Sequence, residues 1–193
     1  MLALKNRILE CGSALNEHVL LVDSFLNHQV DCALMDEIGA EFQRLFEKEG
    51  ITRVVTIESS GIAPAAMAAR RMGVPMVILK KATSVILNDG LIQTEVFSFT
   101  KRTSYHLTLK SKFILPGDRV LVIDDFLANG EAAMGAAKLV ERAGGTVGGI
   151  GVVISKNFQP GLEKLRQAGY NVKTLAGITE MGEGYIKFAD DEE

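Results

Sequence analysis

Val120-Leu121-Val122-Ile123-Asp124-Asp125-Phe126-Leu127-Ala128-Asn129-Gly130-Glu131-Ala132-Ala133 (VLVIDDFLANGEAA) runs four aliphatic residues into two consecutive carboxylates, then into a small-residue turn that opens a helix. A short aliphatic run of this kind reads as a buried strand, and strand followed by helix is the repeating unit of a parallel sheet. In open sheets of that class, ligands collect at the carboxyl ends of the strands. A buried carboxylate without a partner is costly, so Asp124 and Asp125 must reach water, a metal or hydrogen-bond donors. The helix start beyond them offers unpaired N–H groups and the positive end of a dipole, which favours an anion by about 0.3–2 kcal/mol per charge. Ionised Asp only accepts hydrogen bonds, and ribose hydroxyls donate them. A carboxylate pair beside an anion nest therefore fits a ribose 5-phosphate. Successive strand side chains point to opposite faces, so both carboxylates reach one sugar only where the strand is turning. The stretch is neither a Walker loop, since Gly-Lys-Ser/Thr is absent, nor a Gly-x-Gly-x-x-Gly dinucleotide turn.

Outward from this stretch the same alternation repeats. Val54–Ile57 reads as a strand and Ile62–Met72 as its helix, closed by Gly73; Val74–Leu79 is the next strand. The strand Arg119–Asp124 is followed by a helix from about Asn129 to Ala143, ended by Gly144-Gly145. Thr146–Ile154 is a further buried strand, Pro160–Ala168 a short helix, and Val172–Leu175 a candidate last strand. Two regions differ. Between Thr83 and Leu109 the chain is polar and alternating, with Asn88-Asp89-Gly90 as a turn signal, which predicts an exposed hairpin. At the N-terminus a helix leads to Val19-Leu20-Leu21-Val22 and Ser24-Phe25-Leu26-Asn27-His28, before a helix from about Ala33 to Lys48; this segment is expected to cap one end of the sheet.

The 193 residues suffice for one domain with a substantial core, and no repeat or linker divides them. With 21 basic against 24 acidic residues there is no overall positive field to attract nucleic acid or an anionic membrane. Cys11 and Cys32 have no metal-ligand or disulfide spacing, and His18, His28 and His106 are scattered. The N-terminal stretch is interrupted by charge, unlike a secretory leader, and no run is long enough to span a bilayer. A cytoplasmic protein is expected. Asp190–Glu193 read as a solvated tail.

The acidic stretch resembles the signature of the phosphoribosyltransferases: an aliphatic strand, two acidic residues, two apolar residues and a short phosphate loop. The loop departs from the family's common Thr-Gly-x-Thr ending, having Asn129-Gly130-Glu131-Ala132, so two hydroxyls are lost while the backbone donors remain. The resemblance continues through Glu58-Ser59-Ser60-Gly61-Ile62-Ala63-Pro64, Asp23-Ser24-Phe25-Leu26-Asn27-His28-Gln29 and Ser155-Lys156-Asn157-Phe158-Gln159-Pro160-Gly161. It covers nearly the whole chain and is greatest to the xanthine-using bacterial branch. It implies an α/β domain over residues 1–193, with a mostly parallel central sheet flanked by helices, a small N-terminal hood and an exposed flexible hairpin. It also implies transfer of ribose 5-phosphate from phosphoribosyl diphosphate to a purine in nucleotide salvage, with Mg2+ carried on the diphosphate rather than in a protein cage, and a homodimer. Hypoxanthine or guanine salvage is the neighbouring reading. A non-catalytic phosphoribosyl diphosphate-sensing regulator is the rival from another class; it would be expected to bring a DNA-binding segment and a basic face, and neither is evident here.

Residue by residue, the resemblance places the ribose phosphate on Asp124, Asp125, Ala128, Asn129, Gly130, Glu131 and Ala132. It places the diphosphate on Ser59, Ser60 and Gly61, with Lys80 and Lys81 closing the next strand. Base contacts fall on Leu20, Asn27 and Lys156, whose ammonium donors suit an oxopurine and cannot accept from an adenine amino group. Phe126 or Phe158 would stack on the purine. From the residues alone, Leu20 and both phenylalanines read as core, Asn27 as a cap or turn residue and the lysines as a solvated edge, while Ser59–Gly61 serve equally as a helix N-cap. Val96-Phe97-Ser98-Phe99-Thr100-Lys101 resembles the family's mobile lid. Some relatives carry an acid or base in that loop or at the third position after the acidic pair; here Ala128 occupies the latter, so no general base is assigned.

Overall fold

The computed structural model describes residues 1–82, 90–98 and 103–189. The expected turn at Asn88-Asp89, the lid residues Phe99–Lys101 and the tail Asp190–Glu193 lie outside the described residues.

The parallel sheet expected from the alternation is built by β3 (Arg53–Ile57), β4 (Met76–Ala82), β7 (Arg119–Leu127), β8 (Thr146–Lys156) and β9 (Val172–Gly182). Before them come α1 (Leu2–Cys11), the two-residue strands β1 (Ser13–Ala14) and β2 (Leu20–Leu21), a π turn at Asp23–Asn27, and α2 (Cys32–Leu45). The remaining elements are α3 (Ile62–Met72), β5 (Leu91–Ser98), β6 (Thr103–Lys110), α4 (Glu131–Arg142), α5 (Gly161–Gln167) and β10 (Tyr185–Phe188). The main sheet has eight strands in the order β10-β9-β8-β7-β3-β4-β6-β5. The five central strands are parallel, while β10 and the β5–β6 hairpin add antiparallel edges. Each face carries its own apolar cluster. One joins α1, α2, α3 and the hood around Phe25, Phe42 and Phe46, and the other joins α4 and the hairpin around Leu107, Leu109 and Leu139. With both faces covered, β8 is buried continuously from Gly148 to Ser155, as a central parallel strand should be.

Glycines in β8 are sockets rather than breaks. A Cβ on Gly149 would stand 2.3 Å from Phe46 Cε1, and one on Gly151 would stand 2.7 Å from Phe42 Cε1. The two rings of the α2 side thus sit directly on the strand backbone. At the opposite ends of the strands, Asp118 accepts from Leu115 N–H at 2.7 Å, Arg53 Nε at 2.9 Å and the Thr52 hydroxyl at 2.9 Å, tying β7 to β3.

Several boundaries differ from expectation. β7 runs three residues beyond Asp124, because β8 continues alongside it and pairs Asp124 with Val152 and Phe126 with Ile154. The helix after it begins at Glu131 rather than Asn129, with Gly130 at φ +84° as its cap. β9 extends to Gly182 and turns back into β10, which the sequence reading lacked. The hairpin is joined to the sheet through pairs such as Lys80–Thr108, with Val96, Leu107 and Leu109 buried. It packs on α4 so closely that a Cβ on Gly135 would meet Val96 Cγ2 at 2.7 Å.

Candidate active site

At the carboxyl ends of β3, β4, β7 and β8, the sheet brings the expected residues together. Asp124 is only 8% exposed, and one of its carboxylate oxygens accepts from the Asp125 N–H at 3.0 Å; Asp125 is half-buried beside it. Burial, and then the neighbouring Asp125 charge, hold the Asp124 carboxyl well above the usual range. Lys81 acts the other way, its positive charge easing ionisation of Asp124.

The Ser59-Ser60-Gly61 turn between β3 and α3 closes onto this pair. A Cβ on Gly61 would stand 2.4 Å from Thr56 Oγ1 and 3.2 Å from Asp124 Oδ1, so only glycine permits the approach. Helices α3 and α4 both start here without a side-chain cap, on Gly61 and Gly130. By contrast α2, which starts elsewhere, is capped by Asp31 accepting from Ala33 and Leu34 N–H. The two uncapped ends leave backbone donors and positive dipole ends facing the carboxylates' surroundings. The Glu58–Ser59 peptide bond is cis.

The paired lysines separate. Lys80 Nζ meets Glu58 Oε2 at 3.0 Å, while Glu58 Oε1 accepts from the Lys81 backbone N–H at 2.7 Å. The Lys81 N–H and then the Lys80 ammonium hold the Glu58 carboxyl below its usual range. Lys81 instead lays its ammonium over the Tyr105 ring, 5.5 Å from the centroid. Both lysines lie within β4 rather than at its end, because pairing with β6 prolongs the strand through Ala82.

Beyond the acidic pair, Phe126 and Ala128, Asn129, Gly130, Glu131 and Ala132 line one cleft, together with Phe97 and Tyr105 of the hairpin. Glu131 is drawn toward α5 by Lys164, 3.3 Å away. At the end of β8, Lys156 reaches into the hood, its ammonium hydrogen-bonded to the His18 carbonyl oxygen and 5.8 Å from the centre of the Phe126 ring. Burial lowers its pKa. Of the two aromatic candidates, Phe126 shares this corner, whereas Phe158 is 42% exposed on the turn before α5. Leu20 is 8% exposed and belongs to the hood core, and Asn27 is exposed at the end of the π turn. No three His, Cys, Asp or Glu side chains converge to hold a metal among the described residues.

Comparison with known proteins gives the family of the chain. The family described as Phosphoribosyl transferase domain matches residues 30–178. The chain belongs to the phosphoribosyltransferase family. It is 58% identical over 185 residues to Xanthine phosphoribosyltransferase 1 of Clostridium botulinum (strain Hall), covering 96% of this chain and 97% of that one. It is 56% identical over 182 residues to the Xanthine phosphoribosyltransferase of Clostridium acetobutylicum, covering 94% and 96%. Among solved structures, the adenine phosphoribosyltransferase of Rhodothermus marinus superposes with a TM-score of 0.73 at 24% identity, over 92% of this chain and 99% of that one, which is a likeness of fold.

Within this candidate site, three residues had no role in the sequence reading. Thr56 is wholly buried beneath Gly61, and its hydroxyl has no hydrogen-bond partner among the described residues. Tyr105 is half-buried in the cleft wall, and burial first, then the Asp124 charge, raises its pKa. Gly161 contacts the 128–130 loop from α5. Thr56 and Tyr105 carry no motif, and Gly161 closes a resembling stretch without any role assigned to it there; each matters through a neighbour remote in sequence.

Proposed function

We propose that the protein is a xanthine phosphoribosyltransferase of purine salvage, which converts xanthine and 5-phospho-α-D-ribose 1-diphosphate to xanthosine 5′-monophosphate and diphosphate. The bond from ribose C1 to the diphosphate oxygen breaks, with its electron pair leaving on diphosphate. The bond from C1 to purine N9 forms, and the N9 proton passes to solvent. The carrying observation is the meeting of the Asp124–Asp125 pair, the Gly61 turn and the 128–132 loop at one end of the sheet, with Lys156 and Phe126 beside them.

Each group has a task in that reaction. Asp124 and Asp125 face the ribose hydroxyls, and the negative charge the pair carries favours the positive charge that develops on the sugar. Asn129, Gly130, Glu131 and Ala132 turn backbone donors to the 5′-phosphate, with Ala128 leaving room at the loop's start. Ser59, Ser60 and Gly61 take the departing diphosphate, with Lys80 held on Glu58 at the start of the turn and Lys81 the lysine whose charge reaches Asp124. Lys156 donates to a purine oxo group and Phe126 covers the ring. Leu20 closes the apolar side beneath the hood, and Asn27 offers a donor and an acceptor at its rim. Mg2+ bound to the diphosphate would neutralise charge on the leaving group; two adjacent carboxylates, with no third converging ligand among the described residues, fit an ion held mostly by substrate and water. Lacking a side-chain acid at Ala128, the site relies on placement of the base and on leaving-group stabilisation.

We further propose a homodimer acting in the cytoplasm; no helix among the described residues is long and apolar enough to cross a membrane. The deciding assay measures nucleotide formation from xanthine, guanine, hypoxanthine and adenine with Mg2+ and phosphoribosyl diphosphate. The highest kcat/KM is expected with xanthine and none with adenine. Preference for hypoxanthine or guanine would replace the base assignment, and no product with any base would remove the enzymatic one.

A further inference from the structure

Two glycines from separate elements meet back to back beneath the phosphate loop. The Gly161 N–H, at the start of α5, donates to the Ala128 carbonyl oxygen at 3.0 Å. A Cβ on Gly161 would stand 2.3 Å from Ala128 O, 2.7 Å from Gly130 N and 2.9 Å from the Asn129 carbonyl carbon. All three are backbone atoms, so no side chain can swing aside to admit even a methyl group. From the other side, Gly130 has φ +84°, and a Cβ there would meet Gly161 Cα at 3.0 Å and its carbonyl oxygen at 3.2 Å. The loop and α5 can touch this closely only as a glycine pair.

The contact also has a direction. The Ala128–Asn129 peptide is trans, so its N–H points opposite to its C=O. With the Ala128 carbonyl turned toward Gly161, the Asn129 N–H is aimed away from α5. The cleft lies on that side, walled by Val96, Phe97 and Tyr105 of the hairpin and by the loop itself, with no α5 residue in its lining.

We propose that Gly161 is a positioning residue for the phosphoribosyl group. Its N–H and its missing side chain fix the 128–130 backbone so that the Asn129 donor faces the 5′-phosphate before substrate arrives. It touches no substrate and acts only through the loop. A preformed donor does not have to reorganise on binding, so affinity for the phosphate end of the substrate depends on this support. The inference rests on the reading that the loop holds a ribose phosphate.

The test uses the full-length protein and ribose 5-phosphate, whose binding requires no purine. Wild type and Gly161→Ala are titrated calorimetrically, with circular dichroism as the check on folding. The variant is expected to bind ribose 5-phosphate at least tenfold more weakly. Its KM for phosphoribosyl diphosphate should rise by a similar factor, while its KM for xanthine changes less than threefold. A folded variant that binds ribose 5-phosphate as wild type does overturns the inference and leaves the function standing. If wild type itself does not bind the sugar phosphate, the reading of the loop fails instead. Amide exchange on the unmodified protein gives an answer even if the variant does not fold. The Gly161 amide should be protected in the free protein, and the Asn129 amide should become protected only with ribose 5-phosphate. A fast-exchanging Gly161 amide, or an Asn129 amide indifferent to bound ligand, would count against the support.

Discussion

Replacing Lys156 by methionine removes an ammonium and keeps most of the apolar stem. In the free protein that ammonium is hydrogen-bonded to the His18 carbonyl and lies over the Phe126 ring. A purine arriving with an oxo group offers it a second acceptor in the same corner. A hydrogen bond from a charged donor contributes about 1.5–3 kcal/mol net, which at about 1.4 kcal/mol per decade is a ten- to roughly 150-fold loss in kcat/KM for xanthine. The loop and the Gly61 turn do not involve Lys156, so the KM for phosphoribosyl diphosphate should stay within threefold. Steady-state kinetics with each substrate varied at saturation of the other separates the two. The pH profile gives a second readout. Burial lowers the Lys156 pKa, so the charged form of the donor is present at low pH and lost as pH rises through that lowered value, leaving a weaker neutral amine. Wild-type kcat/KM for xanthine should therefore fall on the alkaline side earlier than an ordinary lysine would impose, and the variant should lack that limb. Equal losses for both substrates would remove Lys156 from base recognition.

The lysines of β4 should behave unequally: Lys81→Ala is expected to raise the KM for phosphoribosyl diphosphate several-fold, and Lys80→Ala less, because Lys80 is paired with Glu58; equal kinetics would refute the division. Asp118→Asn breaks a nearly buried ion pair with Arg53 and should destabilise by about 3 kcal/mol, seen as a fall of roughly 6–12 °C in Tm at unchanged activity per folded molecule. Burial alone would raise the Asp118 pKa, but hydrogen bonds from Leu115, Arg53 and Thr52 outweigh it and lower it. That contribution is complete above the ordinary carboxylate pKa of about 4 and is lost as pH falls through the depressed folded value. The Tm gap between wild type and variant should accordingly close in acid. Gly151→Ala pushes a methyl group into the Phe42 ring and should cost about 1–3 kcal/mol; Phe42→Leu in the same chain should restore part of the lost Tm.

The elements that local chemistry dictates were the ones legible in the sequence. Helix α3 was bounded correctly by its small-residue run and by Gly73, whose φ of +68° closes it. Strand β3 was marked by its aliphatic run. The ends of β7 and β9 were not legible, since how far a strand continues depends on what its neighbour does. Asp124 and Asp125 remain in β7 because β8 runs on beside them to Lys156. Strand β10 alternates exposed and half-buried residues at a sheet edge and has little apolar signal of its own. In the candidate site, the acidic pair, the loop and Lys156, which the fold brings together, were picked out because they carry charge or a motif. Thr56, Tyr105 and Gly161 were not, since a hydroxyl, a ring and a glycine acquire meaning only through Gly61, Lys81 and the Ala128 carbonyl, all brought near by folding.

The most direct measurement is a crystal structure with xanthosine 5′-monophosphate bound. The 5′-phosphate should lie within hydrogen-bond distance of the backbone N–H groups of Asn129 to Ala132, the ribose hydroxyls on Asp124 and Asp125, and a purine oxo group on Lys156. Nucleotide seated elsewhere, with its phosphate away from that bend, would contradict the account.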